Sequence, residues 1–307
     1  MRNLTFNCAA SKFYLILITL VTFGQVQAQD YYSSSQYMNN LTPINSAYSL
    51  LSENGSITST IKKQWINLPG SPTTFTFNAQ IPIESINSAT GLTVMDSQLA
   101  VEELTEVNAF YAKSVQLSQN YRLGVAINAG IRRYVANYSS LDSSDPLFVN
   151  DVRKNQPNVG FCIMLYTNNF YVGLSMPEFS IKSLGSASID DKLYFKNRYN
   201  FTAACLLNIS QGIDFKPAGL FTYVSGSPIM SEVSGTFFFN RVLGMGLDLK
   251  SNNKLAGILS VGLAKFSVGY SYQFGVASNN LGGTNFSTHE IALSYNFGKY
   301  LSSHSLL

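Results

Sequence analysis

The stretch Thr288–Gly298, THEIALSYNFG, alternates large apolar side chains with small or polar ones along its length. An alternation with a period of two residues is the pattern of a β-strand whose two faces meet different surroundings. In a soluble sheet the apolar face would cover a core and the polar face would meet water. In a membrane barrel the apolar face would meet lipid and the polar face the lumen. The apolar side consists of Ile291, Leu293, Tyr295 and Phe297, and the other side of Glu290, Ala292, Ser294 and Asn296.

The composition favours the barrel. Only 12% of the 307 residues are charged and 46% are hydrophobic, whereas a soluble domain carries roughly 25% charged residues. Outside the N-terminus there is no run of about 20 apolar residues, the length that a membrane helix needs. A soluble β-sandwich would also alternate, but it would not account for the low charge or for the 13% aromatic residues. The chain is therefore expected to face lipid with strands.

The N-terminus has the features of a signal peptide, predicted over residues 1–28. Arg2 and Lys12 supply positive charge, an apolar run follows from Phe13 to Phe23, and Val26–Ala28 fits a small-residue cleavage site. The remaining cysteines, Cys162 and Cys205, lie in strand patterns and are interpreted as small apolar fillers, with a disulfide the less favoured alternative.

The rest of the chain repeats the opening pattern about fourteen times. Joints such as 119–120, 168–169, 240–241 and 264–265 are short, while 65–73, 132–157, 177–198 and 275–288 are long and polar. Alternating turn lengths are typical of outer-membrane barrels. The sequence thus predicts an all-β fold, a transmembrane antiparallel β-barrel of about 14 strands over residues 55–298. Short turns would be periplasmic, longer loops extracellular, and residues 299–307 a C-terminal tail. The tight turn at 251–253, on the long side, is an exception.

Residues 29–54 form a different kind of segment, rich in Tyr, Ser and Asn and without sustained alternation. Irregular backbone cannot face lipid, because its polar groups would be unpaired there. The segment is therefore expected in the periplasm or as a plug in the lumen. The candidate plug residues are Gln36, Tyr37, Met38 and Tyr48.

No catalytic, cofactor-binding or metal site is predicted. The two histidines, His289 and His304, are too few for a histidine metal site, and no nucleophile stands beside a base. Oxygen ligands such as Asp142 and Asp145 are common in extracellular loops. The net charge of +3, two of which come from the signal peptide, gives no electrostatic case for nucleic acid.

The inward faces are expected to be mostly small and uncharged, which disfavours selective ion transport. The remaining cluster, Glu102, Glu103 and Glu106, is interpreted as a solvated loop face.

Partner binding is predicted in the long connections. Trp65 is the only tryptophan and stands beside Leu68-Pro69-Gly70-Ser71-Pro72. A tryptophan at this position is most simply an aromatic girdle residue; the alternative is a rigid anchor for a partner, beside prolines in an extracellular loop. The candidate partner-binding residues are Trp65, Pro69, Pro72, Asp145, Pro146 and Phe148.

A series of short motifs in a fixed order resembles the PorP/SprF family of type IX secretion-associated outer-membrane proteins of Bacteroidetes. They span nearly the whole mature chain, and it is their order and spacing that make the resemblance specific. The motifs are SQYMNNLTPINSAY (residues 35–48), Lys62-Lys63-Gln64-Trp65 with Gly70–Thr74, Asp145–Phe148, Pro157–Phe161, Phe170–Pro177, Gly226–Pro228, Gly269–Tyr272 and His289–Phe297.

The resemblance implies a role in secretion or surface attachment of a large cargo, including adhesins of gliding bacteria in some members. The implied partners are a secreted cargo protein with a C-terminal type IX sorting domain, other type IX components and outer-membrane lipid. The alternative function is a transport channel for small or hydrophobic solutes.

Overall fold

The computed structural model describes residues 33–66, 68–141, 150–180, 195–252, 254–275 and 287–298. Within them, strands dominate, and the helical parts are three short 3-10 turns at Ser46–Leu51, Glu84–Ile86 and Tyr138–Ser140. None of the helices among these residues is long and apolar enough to cross a membrane. The strands are β1 (Gly55–Gln64), β2 (Thr73–Ile83), β3 (Ser88–Leu99), β4 (Glu102–Gln116), β5 (Arg122–Ala136), β6 (Val152–Tyr166), β7 (Phe170–Ser180), β8 (Arg198–Cys205), β9 (Leu207–Ser210), β10 (Ile213–Val224), β11 (Met230–Phe239), β12 (Leu243–Lys250), β13 (Lys254–Leu263), β14 (Phe266–Gly275) and β15 (Thr288–Phe297).

The strands close into a single antiparallel barrel. β8 and β9 follow one another against β10, separated by Leu206, so the fifteen segments make 14 barrel strands. β1 completes the ring by pairing with β15 over ten residues, from Gly55 opposite Phe297 to Gln64 opposite Thr288. Closure leaves no strand edge unpaired, which is the condition for placing strands in hydrocarbon. The predicted fold class is confirmed.

The two faces of the wall have the predicted chemistry. On β15, the side chains of Ile291 and Leu293 are 56% and 51% exposed, while that of Glu290 is 2% exposed. Aromatic pairs such as Phe266 with Tyr295 mark one rim of the outer surface, and Tyr270 lies against His289 near the other rim. These rims suit the aromatic girdles of membrane barrels. The oily face of the opening stretch is therefore the outside of the barrel.

The two ends of the barrel differ in their connections. At the short-turn end, six connections contain two to five residues each, and the chain enters β1 and leaves β15 there. One of these turns has Asn240 and Arg241 at φ 50° and 56°, as in the primed turns that match the twist of a hairpin. At the long-connection end lie residues 65–72, 137–151, 181–197 and 276–287, together with the shorter 100–101, 225–229 and 251–253. Two connections at this end are therefore exceptions to the rule of long loops: the predicted one at 251–253 and a second at 100–101.

The glutamates at the start of β4 do not form a solvated loop. Glu102–Gln116 is a strand of fifteen residues, and Glu106 is 2% exposed on its inward face. The loop interpretation was wrong for Glu106. The cause is the turn at 100–101, which is so short that the acidic run begins the next strand immediately.

Candidate functional site: the occupied lumen

The lumen contains the chain's own N-terminal segment. Residues 33–54, called here the lumenal segment, begin beside Lys62 and Lys250, near the long-connection end of β1 and β12. The segment then crosses the barrel and joins β1 at Gly55, at the short-turn end. Its backbone is organised by turns and by the 3-10 helix Ser46–Leu51, which Asn45 caps by accepting a hydrogen bond from the amide of Ala47. A segment without alternation thus lies away from lipid, surrounded by the wall.

The wall around the start of the lumenal segment is charged. Nine buried residues point inward within a few positions of the long-connection end of their strands, and they are called here the charged belt. Its members are Lys62, Glu106, Arg132, Glu178, Arg198, Glu232, Asp248, Lys250 and Glu290.

Ion pairs between neighbouring strands neutralise much of this belt. Arg132 approaches Glu106 at 2.7 Å, and Arg198 approaches Glu178 at 2.6 Å. The charge of Lys250 lies 3.3 Å from Glu232, with a further carboxylate, Asp248, at 3.9 Å. Buried charges are tolerated only when they are paired and hydrogen-bonded. Pairing across adjacent strands therefore lets these charged side chains remain buried in the lumen.

The first residues of the lumenal segment bind the remaining belt charges. Glu290 accepts hydrogen bonds from the hydroxyl of Ser34 and from the backbone amide of Ser35, the latter at 3.0 Å. Lys62 donates to the carbonyl oxygen of Ser33, and Lys250 donates to the Ser33 hydroxyl. Bonds to ionised groups are roughly twice as strong as neutral ones. The belt therefore holds this end of the segment in one position.

Two wall glycines make room for amide side chains of the segment. A Cβ atom on Gly269 would lie 2.0 Å from Oε1 of Gln36, whose Nε2 donates to the carbonyl oxygen of Glu290 at 3.1 Å. A Cβ atom on Gly173 would lie 2.7 Å from Nδ2 of Asn45. Atoms do not approach so closely, so a larger residue at either place would displace the amide side chain of the segment. Gln36, a predicted plug residue, thus occupies the space above Gly269.

Further contacts continue across the lumen. Asn40 donates to Asn78 at 2.6 Å and Thr42 donates to Gln80 at 2.7 Å, both on β2. The opposite wall contributes Lys216, which donates to the carbonyl oxygen of Met38 at 2.8 Å. The segment is therefore fixed to strands on both sides of the barrel.

Apolar packing holds the middle and the short-turn half of the segment. Tyr37 and Met38, two predicted plug residues, are each 1% exposed, and the Tyr37 hydroxyl lies 3.0 Å from the Ser234 hydroxyl. Burial raises the pKa of Tyr37 well above its ordinary value, so the phenol stays protonated. Tyr48, the last predicted plug residue, packs edge-on against Tyr171 at 5.6 Å. The segment and wall together form an apolar cluster of Tyr37, Met38, Leu41, Ile44, Ala47, Ala112, Ala126, Cys162, Met164, Tyr166, Tyr171, Ala204, Ala218, Leu220 and Ile258.

The segment does not fill the lumen completely. A cavity of about 250 Å³ remains beside it, along the wall of β1, β2, β3, β14 and β15. Its lining reaches Arg241 and Asn296 at the short-turn end, and Lys62 and Glu290 at the other. Between these ends the lining carries hydroxyl and amide groups next to apolar side chains such as Met38, Ile44 and Phe238. The hydroxyl and amide residues include Thr58, Thr60, Thr76, Thr93, Asn108 and Ser294.

The predicted partner-binding residues lie apart from the lumen. Trp65 is half-buried in the connection 65–72, while Pro69 is exposed and Pro72 is buried. Its described residues make backbone hydrogen bonds, among them one from the Leu68 amide to the carbonyl oxygen of Trp65 at 2.9 Å and one from the Trp65 amide to the carbonyl oxygen of Ser287 at 2.8 Å. The other three candidates, Asp145, Pro146 and Phe148, lie outside the described residues, as do Asp142, residues 1–32 and residues 299–307.

The described residues offer no site for a metal ion, since no group of three metal-ligating side chains occurs among them. His289 faces outward, with its Nδ1 2.8 Å from the Tyr270 hydroxyl. Cys162 and Cys205 are both free thiols. The chemistry of the lumen is thus that of ion pairs, hydroxyls and amides.

The charged belt is the feature that sequence reasoning missed. The inward faces do contain many small and uncharged residues, as predicted, but charges gather at one end. The sequence did indicate inward charges, because Glu106, Arg132 and Glu178 each lie at a position of the alternating pattern that faces the lumen. Their pairing depends on strand register, which alternation does not give.

The closed ring, the apolar outer face and the polar lumen define an integral β-barrel protein of the outer membrane. A family model described as "Type IX secretion system membrane protein PorP/SprF" matches residues 26–295. The chain belongs to the PorP/SprF family, and the resemblance inferred from its motifs is confirmed. It is an outer-membrane component of type IX secretion.

Solved structures share the barrel architecture at low sequence identity. The CymD monoaromatic hydrocarbon channel is 10% identical, with a TM-score of 0.49 over 89% of this chain and 95% of that one. Omp33 of Acinetobacter baumannii is also 10% identical, with a TM-score of 0.47 over 80% of this chain and 98% of that one. A search of curated proteins finds no match. These similarities concern the fold alone.

Proposed function

We propose that this barrel is a docking platform that supports secretion or surface attachment of a specific large cargo protein of the type IX pathway. The cargo would carry a C-terminal type IX sorting domain and would contact the long-connection end. The barrel itself would perform no chemical step. In bacteria that glide, an adhesin would be a suitable cargo.

The observation that carries this proposal is the occupied lumen. The lumenal segment is bonded to both sides of the wall and leaves a cavity of only about 250 Å³. A folded protein domain is far larger than this, so a cargo would be handled at a rim of the barrel and not through it. This argument favours docking over passage of the cargo through the lumen.

The connection 65–72 is the best described candidate for that rim. Ile66 and Leu68 are 48% and 41% exposed near Pro69, and the Leu68 amide donates to the carbonyl oxygen of Trp65. Trp65 has φ 50°, a left-handed conformation that is costly for a bulky side chain. Backbone strain of this kind tends to persist where function requires it. A rigid apolar patch with a tryptophan is also the usual composition of an interface hot spot.

The test is a pull-down of the tagged barrel from native outer membranes, followed by mass spectrometry. We expect a large secreted protein with a type IX sorting domain to co-purify. Replacing Trp65 and Leu68 together by alanine should reduce its recovery several-fold.

The matched control is Tyr121→Ala, which removes an aromatic side chain, 45% exposed, from the short-turn end. This variant should retain the cargo. A correctly assembled Trp65→Ala, Leu68→Ala barrel that retains cargo at the normal level would contradict the placement of the docking site. Absence of any type IX cargo from the purified wild-type barrel would contradict the proposed function itself.

A further inference from the structure

The cavity beside the lumenal segment has the chemistry of a conduit for water and neutral polar solutes. Its wall side presents Thr58 and Thr60 of β1, Thr76 of β2, Thr93 of β3 and Ser294 of β15. Hydroxyl groups both donate and accept hydrogen bonds, so such a surface can replace the hydration of a sugar-like molecule. At the long-connection end the cavity is also lined by charged-belt residues of both signs, Lys62 and Arg198 beside Glu106, Glu178 and Glu290. Charge selection in pores comes from rings of charged side chains, and a ring of mixed sign favours neither cations nor anions.

The cavity extends along most of the barrel. At the short-turn end its lining includes Arg241, which is 54% exposed and therefore lies at an open rim. At the other end the lining includes Lys62, Glu106 and Glu290 of the charged belt. Ser33, Ser34 and Gln36 line the same end from the side of the lumenal segment.

The residues Ser33–Gln36, called here the cap, are held differently from the rest of the segment. Ser34 and Ser35 bind the carboxylate of Glu290, and Gln36 binds its carbonyl oxygen. From Tyr37 onward the segment also contributes to the apolar cluster. The bonds that hold the cap are charge-assisted, but their charged partners Lys62 and Glu290 border the cavity, so water there can replace the cap as the bonding partner. Apolar packing has no such replacement when a side chain moves into water. The cap is therefore the part of the segment that can move away from Glu290 while the residues from Tyr37 onward stay in place.

We propose that the lumen contains a gated conduit for small neutral polar solutes, closed at the long-connection end by the cap Ser33–Gln36 on Glu290. Release of the cap would join the existing cavity to that end of the barrel. The remaining segment, anchored by Lys216, Asn78 and Gln80, would keep the passage too narrow for a polypeptide. This activity is separate from cargo docking and does not depend on it.

The first experiment measures currents of the purified full-length protein in planar bilayers. Glu290→Ala removes the carboxylate that holds Ser34 and Ser35, and it should raise the mean conductance several-fold. The matched control is Ser175→Ala, which removes a hydroxyl that donates to the carbonyl oxygen of Ile44 at 2.7 Å and accepts from Asn200 at 3.2 Å, away from the cap. This control should conduct like the wild type. Wild-type currents from an assembled Glu290→Ala barrel would overturn the proposal.

A second experiment compares closed and released states of one protein. With Cys162 and Cys205 replaced by alanine, Gln36→Cys and Gly269→Cys would place two thiols at the cap seat, where a Cβ on Gly269 lies 3.2 Å from Cδ of Gln36. The oxidised pair should conduct little, and reduction should raise the conductance several-fold. Proteoliposomes that contain the reduced protein should also take up arabinose, but not the larger raffinose.

A crosslink below the cap provides the control for the crosslink itself. Ser46→Cys, in a Cys205→Ala background, brings a thiol to native Cys162, because the Ser46 hydroxyl oxygen lies 3.4 Å from the Cys162 sulfur. Combined with Glu290→Ala, this crosslink should leave the conductance high whether oxidised or reduced. Two results would refute gating by the cap. One is a conductance that is the same whether the crosslink between positions 36 and 269 is oxidised or reduced. The other is a loss of conductance when the crosslink between positions 46 and 162 is formed.

Discussion

Arg132 and Glu106 lie on neighbouring strands and form an ion pair of 2.7 Å, with side-chain exposures of 0% and 2%. The Arg132 guanidinium also donates to the carbonyl oxygen of Lys196 at 3.3 Å and lies 5.4 Å from the centre of the Phe195 ring. This pair therefore joins β4, β5 and the chain just before β8. This pair is therefore structural as well as electrostatic, since it fixes elements that are distant in sequence.

Replacing Arg132 should destabilise the barrel strongly. Arg132→Ala leaves Glu106 in a buried site without its main cation, and losing one partner of such a pair costs about 3–5 kcal/mol. Urea unfolding in lipid vesicles, followed by the gel mobility of folded and unfolded barrel, measures the change. The matched control is Arg241→Ala, because Arg241 is 54% exposed and lies 3.4 Å from Asp214. The Arg241 side of this pair lies in solvent, and Asp214, 6% exposed, keeps a hydrogen bond from Asn208 at 2.9 Å. The loss should therefore stay near the value of a surface pair, about 1 kcal/mol or less, and equal effects of the two variants would contradict the structural role of the belt.

Truncating Leu41 should also lower stability. Leu41 is fully buried in the apolar cluster between the lumenal segment and the wall. Removing such a side chain to alanine costs about 2–5 kcal/mol, because it forfeits apolar burial and leaves a void. The same unfolding assay applies, with the exposed neighbour Asn39→Ala as the control, expected within about 0.5 kcal/mol of wild type. A neutral Leu41→Ala would mean that the segment does not pack in the lumen.

The lumenal segment should resist proteases in the folded barrel. Tyr37, Met38 and Tyr48 lie among wall side chains, so a protease cannot bind the extended chain around them. Mass spectrometry after limited digestion should find residues 33–51 intact, while exposed connections such as 117–121 are open to attack. Rapid cleavage at Tyr37 or Tyr48 in otherwise folded protein would indicate a loose periplasmic arm instead.

The long-connection end should face the cell exterior. Ser140, in the exposed turn Tyr138–Ser140, reports on that end, and Asn120, in the turn 117–121, reports on the other. In a background without Cys162 and Cys205, Ser140→Cys should react with an impermeant maleimide on whole cells. Asn120→Cys should react only after the outer membrane is permeabilised. The reverse pattern would invert the topology.

The fold was predictable because its cause is local. A barrel wall has one face toward lipid and one toward the lumen, so apolar and polar residues alternate along its strands. On β15, for example, Ile291 faces outward and Glu290 faces inward. Turn lengths and composition then distinguish a barrel from a sandwich. The boundary between 100–101 and β4 was missed because a two-residue turn leaves no polar stretch to recognise. The predicted roles of Trp65, Pro69 and Pro72 in partner binding remain predictions.

The class of fold, the alternation of each strand and the exclusion of residues 29–54 from lipid could be read from the residues alone, because they follow from the solvation of individual side chains and backbone groups. Which groups contact one another depends on the folded barrel. The register places Glu106 opposite Arg132, and closure brings Glu290 to Ser34 across more than 250 positions of the chain. The seat of Gln36 on Gly269 likewise exists only after β14 and the lumenal segment approach one another. Such contacts depend on how the closed ring aligns its strands, a property of the whole chain that no single segment encodes.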